Sequence, residues 1–141
     1  MKTQRKFPNK LNIIFIVILF ITSSCKVEHN PIVGVWKPVT LILPESIRKT
    51  QKNADLVYVT FEQSKDIYYH FHSDSVFSLE SPKDMTGFKD AIGTYSVKGN
   101  KISINIYNAV LKSDIIKLTD NEMHVQSTDS ITIIYEKIKN D

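Results

Sequence analysis

Two histidines, His70 and His72, are the residues of this sequence whose type and spacing could support chemistry. They flank Phe71 in a segment that alternates like a β-strand, which would place both imidazoles on one face at a spacing that can chelate a metal. His124 could complete a zinc or copper site. The alternative interpretation is that these histidines face solvent on the outside of a sheet, opposite residues such as Tyr69. The pattern favours this alternative, and we predict no metal site and no other cofactor.

The other arrangements that carry catalysis are missing from the sequence. It contains no Gly-x-Ser-x-Gly elbow, no glycine-rich phosphate loop and no His-Glu-x-x-His motif. Its carboxylates are scattered over polar positions, and no spacing singles out a pair that could act as acid and base. We therefore expect no catalytic residue and no enzymatic activity.

The first 24 residues have the organisation of an export signal. The segment begins with four basic residues, Lys2, Arg5, Lys6 and Lys10, and continues with a largely apolar run over residues 11–21. A membrane-spanning helix needs about 20 apolar residues, whereas the core of a signal peptide needs roughly 7 to 15. The run then ends in small residues. We predict that residues 1–24 are a lipoprotein signal peptide that is removed after export.

Cys25 is the only cysteine of the chain, and the segment Thr22-Ser23-Ser24-Cys25 resembles the lipobox at which bacterial lipoproteins are cleaved and lipidated. A lone cysteine cannot form an intramolecular disulfide, and a free thiol would be unusual in an exported protein. Two acyl chains already anchor a protein stably to a membrane. The alternative is an ordinary secretory signal cleaved near Ser24. We predict a lipid anchor on Cys25 in the cell envelope, and Lys26, in place of Asp, favours the outer membrane.

Removal of the signal changes the charge of the chain. The signal carries four of the 18 basic residues and none of the 15 acidic ones, so the remaining 117 residues have a net charge of −1. This balance lacks the basic patch that attracts nucleic acid, and we expect no nucleic-acid partner. A chain of this length builds one domain around one core. We assign residues 25–31 to the lipidated cysteine and a polar tether, and residues 32–139 to the folded domain.

Apolar residues recur at every second position through most of this domain, which is the spacing of a strand with one buried face. The clearest segment is 101–107, where Ile102, Ile104 and Ile106 share one face and β-branched side chains favour a pleated surface. Similar alternation occurs in eight other segments, at 33–43, 57–61, 67–71, 77–79, 93–97, 115–118 (through Ile116 and Leu118), 123–126 and 131–135. We therefore predict an all-β domain of about nine short strands.

The connections between these strands predict their topology. Short turns at Ser73-Asp74, Lys98-Gly99-Asn100 and Asp120-Asn121 require antiparallel neighbours, and a meander of eight or nine strands removes its exposed edges by closing into an up-and-down barrel. Two connections are longer. Residues 44–54 could form one or two helical turns, and residues 80–91 carry Met85 and Phe88. Either connection could cover a barrel mouth, but we expect both to be solvated loops whose apolar residues contact the rim.

Several motifs in this order resemble those of small lipocalin-like lipoproteins of Gram-negative bacteria. They are Gly34-Val35-Trp36, Gly93-Thr94-Tyr95, the Gly99-Asn100 turn, and the paired segments 115–118 and 123–126. The resemblance covers residues 32–138 and implies a lipocalin-like barrel. Gly34 would permit close approach of a neighbour, and Trp36 would plug the narrow end. In familiar lipocalins an arginine near the last strand packs across this Trp, and here Lys137 or Lys139 could take its place.

The resemblance also implies a function for the barrel interior. Eight strands leave a space that side chains can fill or that can hold one small ligand. The candidate lining residues are the large inward-facing aromatics Tyr69, Phe71, Phe77, Tyr95 and Tyr135. Our leading hypothesis is a protein that binds a small hydrophobic ligand. The alternative is an interaction or inhibitor module of the cell envelope with a filled core.

Overall fold

A closed barrel of eight antiparallel strands forms the fold, with each strand hydrogen-bonded to the next in sequence and the last to the first. This architecture is seen in a computed structural model that describes residues 30–82 and 91–139. The predicted signal peptide, Cys25 and the loop residues Met85 and Phe88 lie outside the described residues. The strands are β1 (Gly34–Ile42), β2 (Tyr68–Phe71), β3 (Val76–Glu80), β4 (Ala91–Lys98), β5 (Lys101–Ile106), β6 (Ala109–Leu118), β7 (Glu122–Gln126) and β8 (Thr132–Lys139). The predicted all-β up-and-down barrel is thus confirmed.

The predicted alternation determines which side chains enter the barrel. In β5, Ile102 and Ile106 are 3% and 5% exposed, whereas Lys101 is exposed on the opposite face. Closure is completed by β1 and β8, whose register runs from Val35 opposite Lys139 to Ile42 opposite Thr132. Since every strand has two neighbours, no strand lies at an edge of the described sheet.

The barrel has two different ends. The chain enters β1 at one end, where the β2–β3, β4–β5 and β6–β7 turns also lie, and we name this the closed end. The other end, here the open end, carries the long β1–β2 connection and the β5–β6 and β7–β8 turns. Trp36, Phe71 and Phe77 form the core with other side chains that are at most 9% exposed. The β5–β6 turn, at Tyr107-Asn108, was not predicted, because it requires a positive φ of 50° at Tyr107, which is uncommon for tyrosine.

The prediction of a strand at residues 57–61 is wrong, because this segment belongs to a helix. The connection between β1 and β2 contains α1 (Glu45–Arg48) and α2 (Gln51–Ser64) instead of a loop and a strand. Ala54 and Phe61 are buried at helical spacing, whereas Val59 is 55% exposed, although strand alternation would have buried it with Phe61. This helix contains Val57, Val59 and Thr60, which have low helix propensity. Packing against the barrel therefore stabilises α2 more than its composition does. Within the described residues, no helix has both the length and the apolar composition needed to cross a membrane.

The predicted inward position of Ile116 is also wrong. The pairing of β6 with β7 shifts between Ile115 and Lys117, which is a β-bulge that adds one residue to β6. Ile115 therefore faces the core at 9% exposed, Ile116 is 52% exposed, and the alternation resumes with Leu118. A bulge of this kind reverses the side-chain pattern on one side of the irregularity.

Candidate ligand-binding site

The five aromatic residues predicted from the sequence come together inside the barrel. Their ring centroids form a continuous series, in which Tyr135 lies 5.2 Å from Tyr69, Tyr69 lies 6.2 Å from Phe77, and Phe71 lies 5.0 Å from both Phe77 and Tyr95. Tilted and edge-to-face contacts of this kind are the geometries that aromatic rings favour. The cluster joins β2, β3, β4 and β8 into one core.

Three of these aromatics, Tyr69, Phe71 and Tyr135, border a cavity of about 80 Å³, which we name the inner cavity. The remaining lining comes from β5, β6 and β7, through Ile102, Ile104, Leu111, Ser113, Met123 and Val125. Phe77 and Tyr95 do not line it, because they pack towards the closed end. The Tyr95 hydroxyl donates a hydrogen bond of 2.8 Å to the His72 carbonyl at the β2–β3 turn. The aromatic set therefore divides into residues that fill the barrel and residues that border a space.

A larger space, which we name the mouth pocket, lies between α2 and the open end of the barrel. Its volume is about 440 Å³. It is lined by Leu41 of β1, by Leu56, Val57, Thr60, Phe61 and Ser64 of α2, and by Ser113, Val125, Ser127, Ile131, Ile133 and Tyr135 of the last three strands and their connections. Ser113, Val125 and Tyr135 border both spaces, so the inner cavity adjoins the mouth pocket. The helical connection thus covers the barrel mouth, contrary to the expectation of a solvated loop.

The hydroxyls of Tyr69 and Tyr135 are buried polar groups of this site. Burial raises the pKa of Tyr69, and a hydrogen bond from Tyr135 acts in the opposite direction. Burial also raises the pKa of Tyr135, and the neighbouring Tyr69 adds to this increase. Both side chains are therefore neutral hydroxyls at physiological pH. Around them the site is mostly aliphatic.

The α2 side of the mouth pocket was missed by the sequence analysis. Ala54, Val57 and Phe61 follow the helical spacing i, i+3, i+7, but Val57 and Phe61 also fit the alternation of a strand. No glycine or proline occurs between residues 45 and 81, so only Ser64 and Asp66 could mark a turn between a strand at 57–61 and one at 67–71. This weak turn signal was the available indication of a helix.

The residues of the structural motif lie at the closed end, away from both cavities. Trp36 is fully buried, and its indole Nε1 donates a 2.7 Å hydrogen bond to the Ile32 carbonyl. Gly34 has a φ of 135°, a conformation that side-chain-bearing residues rarely adopt. The Lys137 ammonium lies 4.7 Å from the centre of the Trp36 ring, so Lys137 occupies the position predicted for Lys137 or Lys139.

Lys137 also links the segment that precedes β1 to the barrel through hydrogen bonds. Its Nζ donates hydrogen bonds to the carbonyls of Pro31 at 2.8 Å and Val33 at 2.9 Å. Burial lowers the pKa of the ammonium from its ordinary value, and the negative charge of Asp120 acts in the opposite direction. These contacts close the end of the barrel at which the predicted tether would join.

Replacement of Lys137 by methionine should lower the free energy of unfolding by about 2 kcal/mol, because two carbonyl acceptors lose a charged donor. Urea denaturation followed by circular dichroism measures the change. Lys101→Met is the matched control, since Lys101 is largely exposed and its ion pair with Asp114 contributes less than about 1 kcal/mol. Equal losses in the two variants would contradict a structural role for Lys137.

The histidines do not assemble into a site. His70 and His72 stack on the outer face of β2 with their rings 6.0 Å apart. His70 Nε2 is buried 3.0 Å from a Glu80 carboxylate oxygen, in poor alignment for a hydrogen bond, and His72 contacts the Ser78 hydroxyl at 3.2 Å. His124 lies on β7, which β8 and β1 separate from β2, and its partner is Glu122. No group of three or more potential metal ligands occurs in the part of the chain that the structure describes.

Comparison with known proteins agrees with this architecture. The model of the lipocalin-like domain family matches residues 32–125, which run from just before β1 into β7. A search of curated proteins found no significant match. A solved lipocalin-like protein from Bacteroides uniformis ATCC 8492 is similar with a TM-score of 0.55 and 16% identity over 77% of this chain and 99% of that one. An uncharacterized protein from Bacteroides eggerthii DSM 20697 is similar with a TM-score of 0.53 and 14% identity over 74% of this chain and 98% of that one.

The two solved structures, at these identities, show that the fold is shared. The family match extends over more than half of the sequence and includes both the Gly-x-Trp segment of β1 and the Gly-x-Tyr segment of β4. This chain therefore belongs to the lipocalin-like domain family.

Proposed function

We propose that this protein is a lipid-anchored, non-enzymatic lipoprotein of the bacterial cell envelope that binds a small hydrophobic ligand. The observation that carries the proposal is the mouth pocket, whose volume is about 440 Å³. Pockets for small molecules are concave, mostly apolar, and about 300–1,000 Å³ in volume. The mouth pocket has these properties, and it continues into the inner cavity through shared lining residues.

The proposed anchor is supported by the sequence. Cys25 follows a signal-like segment, and Lys26 favours the outer membrane over the inner one. Since the chain enters β1 at the closed end, a lipid on Cys25 would be connected to that end. The mouth pocket would then open at the opposite end, and a ligand could reach it without displacing the tether.

The filled-core alternative fits the molecule less well. A module of that kind would use its aromatic residues to fill the whole interior. Here Phe77 and Tyr95 do fill the closed end, but Tyr69 and Tyr135 border open space. The division into a filled end and a hollow end favours ligand binding.

Replacing Val57 by tryptophan should weaken ligand binding strongly, because the larger side chain would occupy the mouth pocket from α2. The full-length protein is purified from a bacterial host, and its co-purifying lipids are extracted and identified by mass spectrometry. We expect a lipid species that is enriched on the wild-type protein to fall by about tenfold or more on the variant, a loss equivalent to about 1.4 kcal/mol of binding free energy.

The matched control is Val59→Trp on the same helix. Val59 is 55% exposed and does not line the mouth pocket, so this variant should retain the lipid. The comparison also removes the background of detergent and bulk membrane lipid, which is the same for all three proteins. Identical lipid profiles for the wild type and both variants would contradict ligand binding in the mouth pocket.

A further inference from the structure

The polar groups of the site indicate the chemical class of its ligand. Among the described residues that line the mouth pocket and the inner cavity, none is acidic, basic or a histidine. The hydrogen-bonding side chains in this lining are all hydroxyls, which are those of Thr60, Ser64, Ser113, Ser127, Tyr69 and Tyr135. A ligand that enters this site therefore meets hydrogen-bonding groups without a compensating charge.

Three of these hydroxyls already have partners in the backbone. The Thr60 hydroxyl donates to the Leu56 carbonyl at 2.9 Å, and the Ser64 hydroxyl donates to the Phe61 carbonyl at 2.8 Å, so both are engaged within α2. The Ser127 hydroxyl accepts a 3.3 Å hydrogen bond from an amide of the β7–β8 turn. Thr60 and Ser64 have used their hydroxyl protons and can only accept from a ligand, whereas the Ser127 O–H remains to donate at the β7–β8 turn.

The other three hydroxyls, those of Tyr69, Ser113 and Tyr135, form what we name the polar spot. Tyr69 and Tyr135 are direct neighbours, with ring centroids 5.2 Å apart. Two hydroxyls carry two protons, and a hydrogen bond between them would use only one, so at least one O–H remains to donate. Ser113 borders both the mouth pocket and the inner cavity beside Tyr135. The polar spot therefore lies where the two spaces meet and offers neutral donors.

Among the described residues, no lysine lines the mouth pocket or the inner cavity, although Lys98, Lys101 and Lys112 line a neighbouring pocket of about 530 Å³ that also includes Ile102 and Ser113. Lys101 and Lys112 are neighbours of Ile102 and Ser113 along β5 and β6, and alternation places them on the outer face. Lys101 is also paired with Asp114 at 2.9 Å. Among the described residues that line the mouth pocket and the inner cavity, there is no cation to replace the hydration of an anionic head group.

We infer that the ligand is a neutral lipid with one hydrogen-bond-accepting head group, such as an alcohol, ester or ketone, and not a fatty-acid anion. This inference rests on the proposed function of the mouth pocket. Burial of an unpaired carboxylate costs far more free energy than burial of a neutral polar group that finds a hydrogen bond. The aliphatic lining would hold the hydrocarbon, and the polar spot would bind the head group.

Native mass spectrometry of the full-length protein in dodecyl maltoside tests this inference with an equimolar mixture of 1-hexadecanol and hexadecanoate at pH 8. We expect the alcohol adduct to exceed the acid adduct by about tenfold or more. In the double variant Tyr69→Phe/Tyr135→Phe, the alcohol adduct should fall by about tenfold, because the head group loses its donor. Removing both hydroxyls together leaves no orphaned partner, so the fold should be retained, and circular dichroism checks this.

The control is Tyr58→Phe, which changes a partly exposed tyrosine of α2 outside the mouth pocket and should bind the alcohol like the wild type. A dominant acid adduct on the wild type would overturn the neutral-ligand inference and leave ligand binding in place. Unchanged alcohol binding by the folded double variant would overturn the role of the polar spot. The absence of any adduct on the wild type would overturn the inference and count against the proposed function as well.

Discussion

Replacement of Trp36 by alanine should lower the free energy of unfolding by about 3–5 kcal/mol, the usual cost of truncating a fully buried large aromatic side chain. Trp36 is 0% exposed, and its loss would leave a void at the closed end of the barrel. The Ile32 carbonyl would lose the indole N–H that now donates to it at 2.7 Å. The Lys137 ammonium would lose its cation–π contact with the Trp36 ring. Small domains are stable by only about 5–15 kcal/mol, so the variant would be close to unfolding at ambient temperature.

Urea denaturation followed by far-ultraviolet circular dichroism measures the effect of Trp36→Ala. Trp36→Phe should cost less, because most of the buried ring area is retained while the hydrogen bond to the Ile32 carbonyl is lost. Ile92→Ala is the exposed control, since Ile92 is 78% exposed on β4 and its truncation should change the stability by less than about 1 kcal/mol. A loss for Trp36→Ala as small as that for Ile92→Ala would contradict its role as the plug of the closed end.

Replacement of Gly93 by alanine should also be severe, with a loss of about 3 kcal/mol or more. A Cβ atom at this position would lie 2.1 Å from the Asn105 carbonyl oxygen and 3.2 Å from the Ile106 Cβ. The Asn105 carbonyl belongs to the backbone of β5, which pairs with β4 through Thr94, so it cannot move away without breaking that pairing. Gly93 is therefore required by the close approach of the two strands.

Gly99→Ala is the matched control for Gly93→Ala. Gly99 lies in the β4–β5 turn with a φ of +60°, and no atom lies within 4 Å of the added Cβ. Its replacement should cost about 1 kcal/mol through the left-handed backbone conformation alone. Thermal unfolding of both variants separates the two effects, and a larger loss for Gly99→Ala than for Gly93→Ala would refute the steric explanation.

The closed and open ends of the barrel give these predictions different meanings. Variants at Trp36 and Lys137 change the closed end, where side chains fill the space and where the predicted tether would join. Variants at Val57 and Tyr135 change the open end, where the mouth pocket lies. We therefore expect the first group to change stability with little effect on ligand preference, and the second group to change binding with smaller effects on stability.

Much of the fold was predictable because burial in a β-strand is a local pattern. Alternation identified the β5 segment through Ile102 and Ile106, and short polar turns required antiparallel neighbours. The Gly34-Val35-Trp36 motif indicated the start of a lipocalin-like barrel, and the family match is consistent with it. The five aromatic residues proposed for the interior did converge there, because each lies on the apolar face of its strand.

Three features depended on contacts between distant parts of the chain. Residues 57–61 fit both a strand and a helix, and the need to cover the open end of the barrel favoured the helix, with Phe61 inward and Val59 outward. The bulge next to Ile115 arose from the pairing of β6 with β7 and placed Ile116 outside. The register of β8 placed Lys137 opposite Trp36, where the sequence had offered Lys137 and Lys139 equally.

The sequence by itself determined that the domain is an antiparallel barrel with an aromatic interior, because the period of two along each strand decides which side chains are buried. Only the tertiary structure decided whether that interior is full. The volume left between Tyr69, Tyr135 and α2 depends on how the strands curve and where the helix rests, and no short segment of the sequence contains this information. A ligand site formed by what the packed side chains leave empty is therefore visible only after the chain has folded.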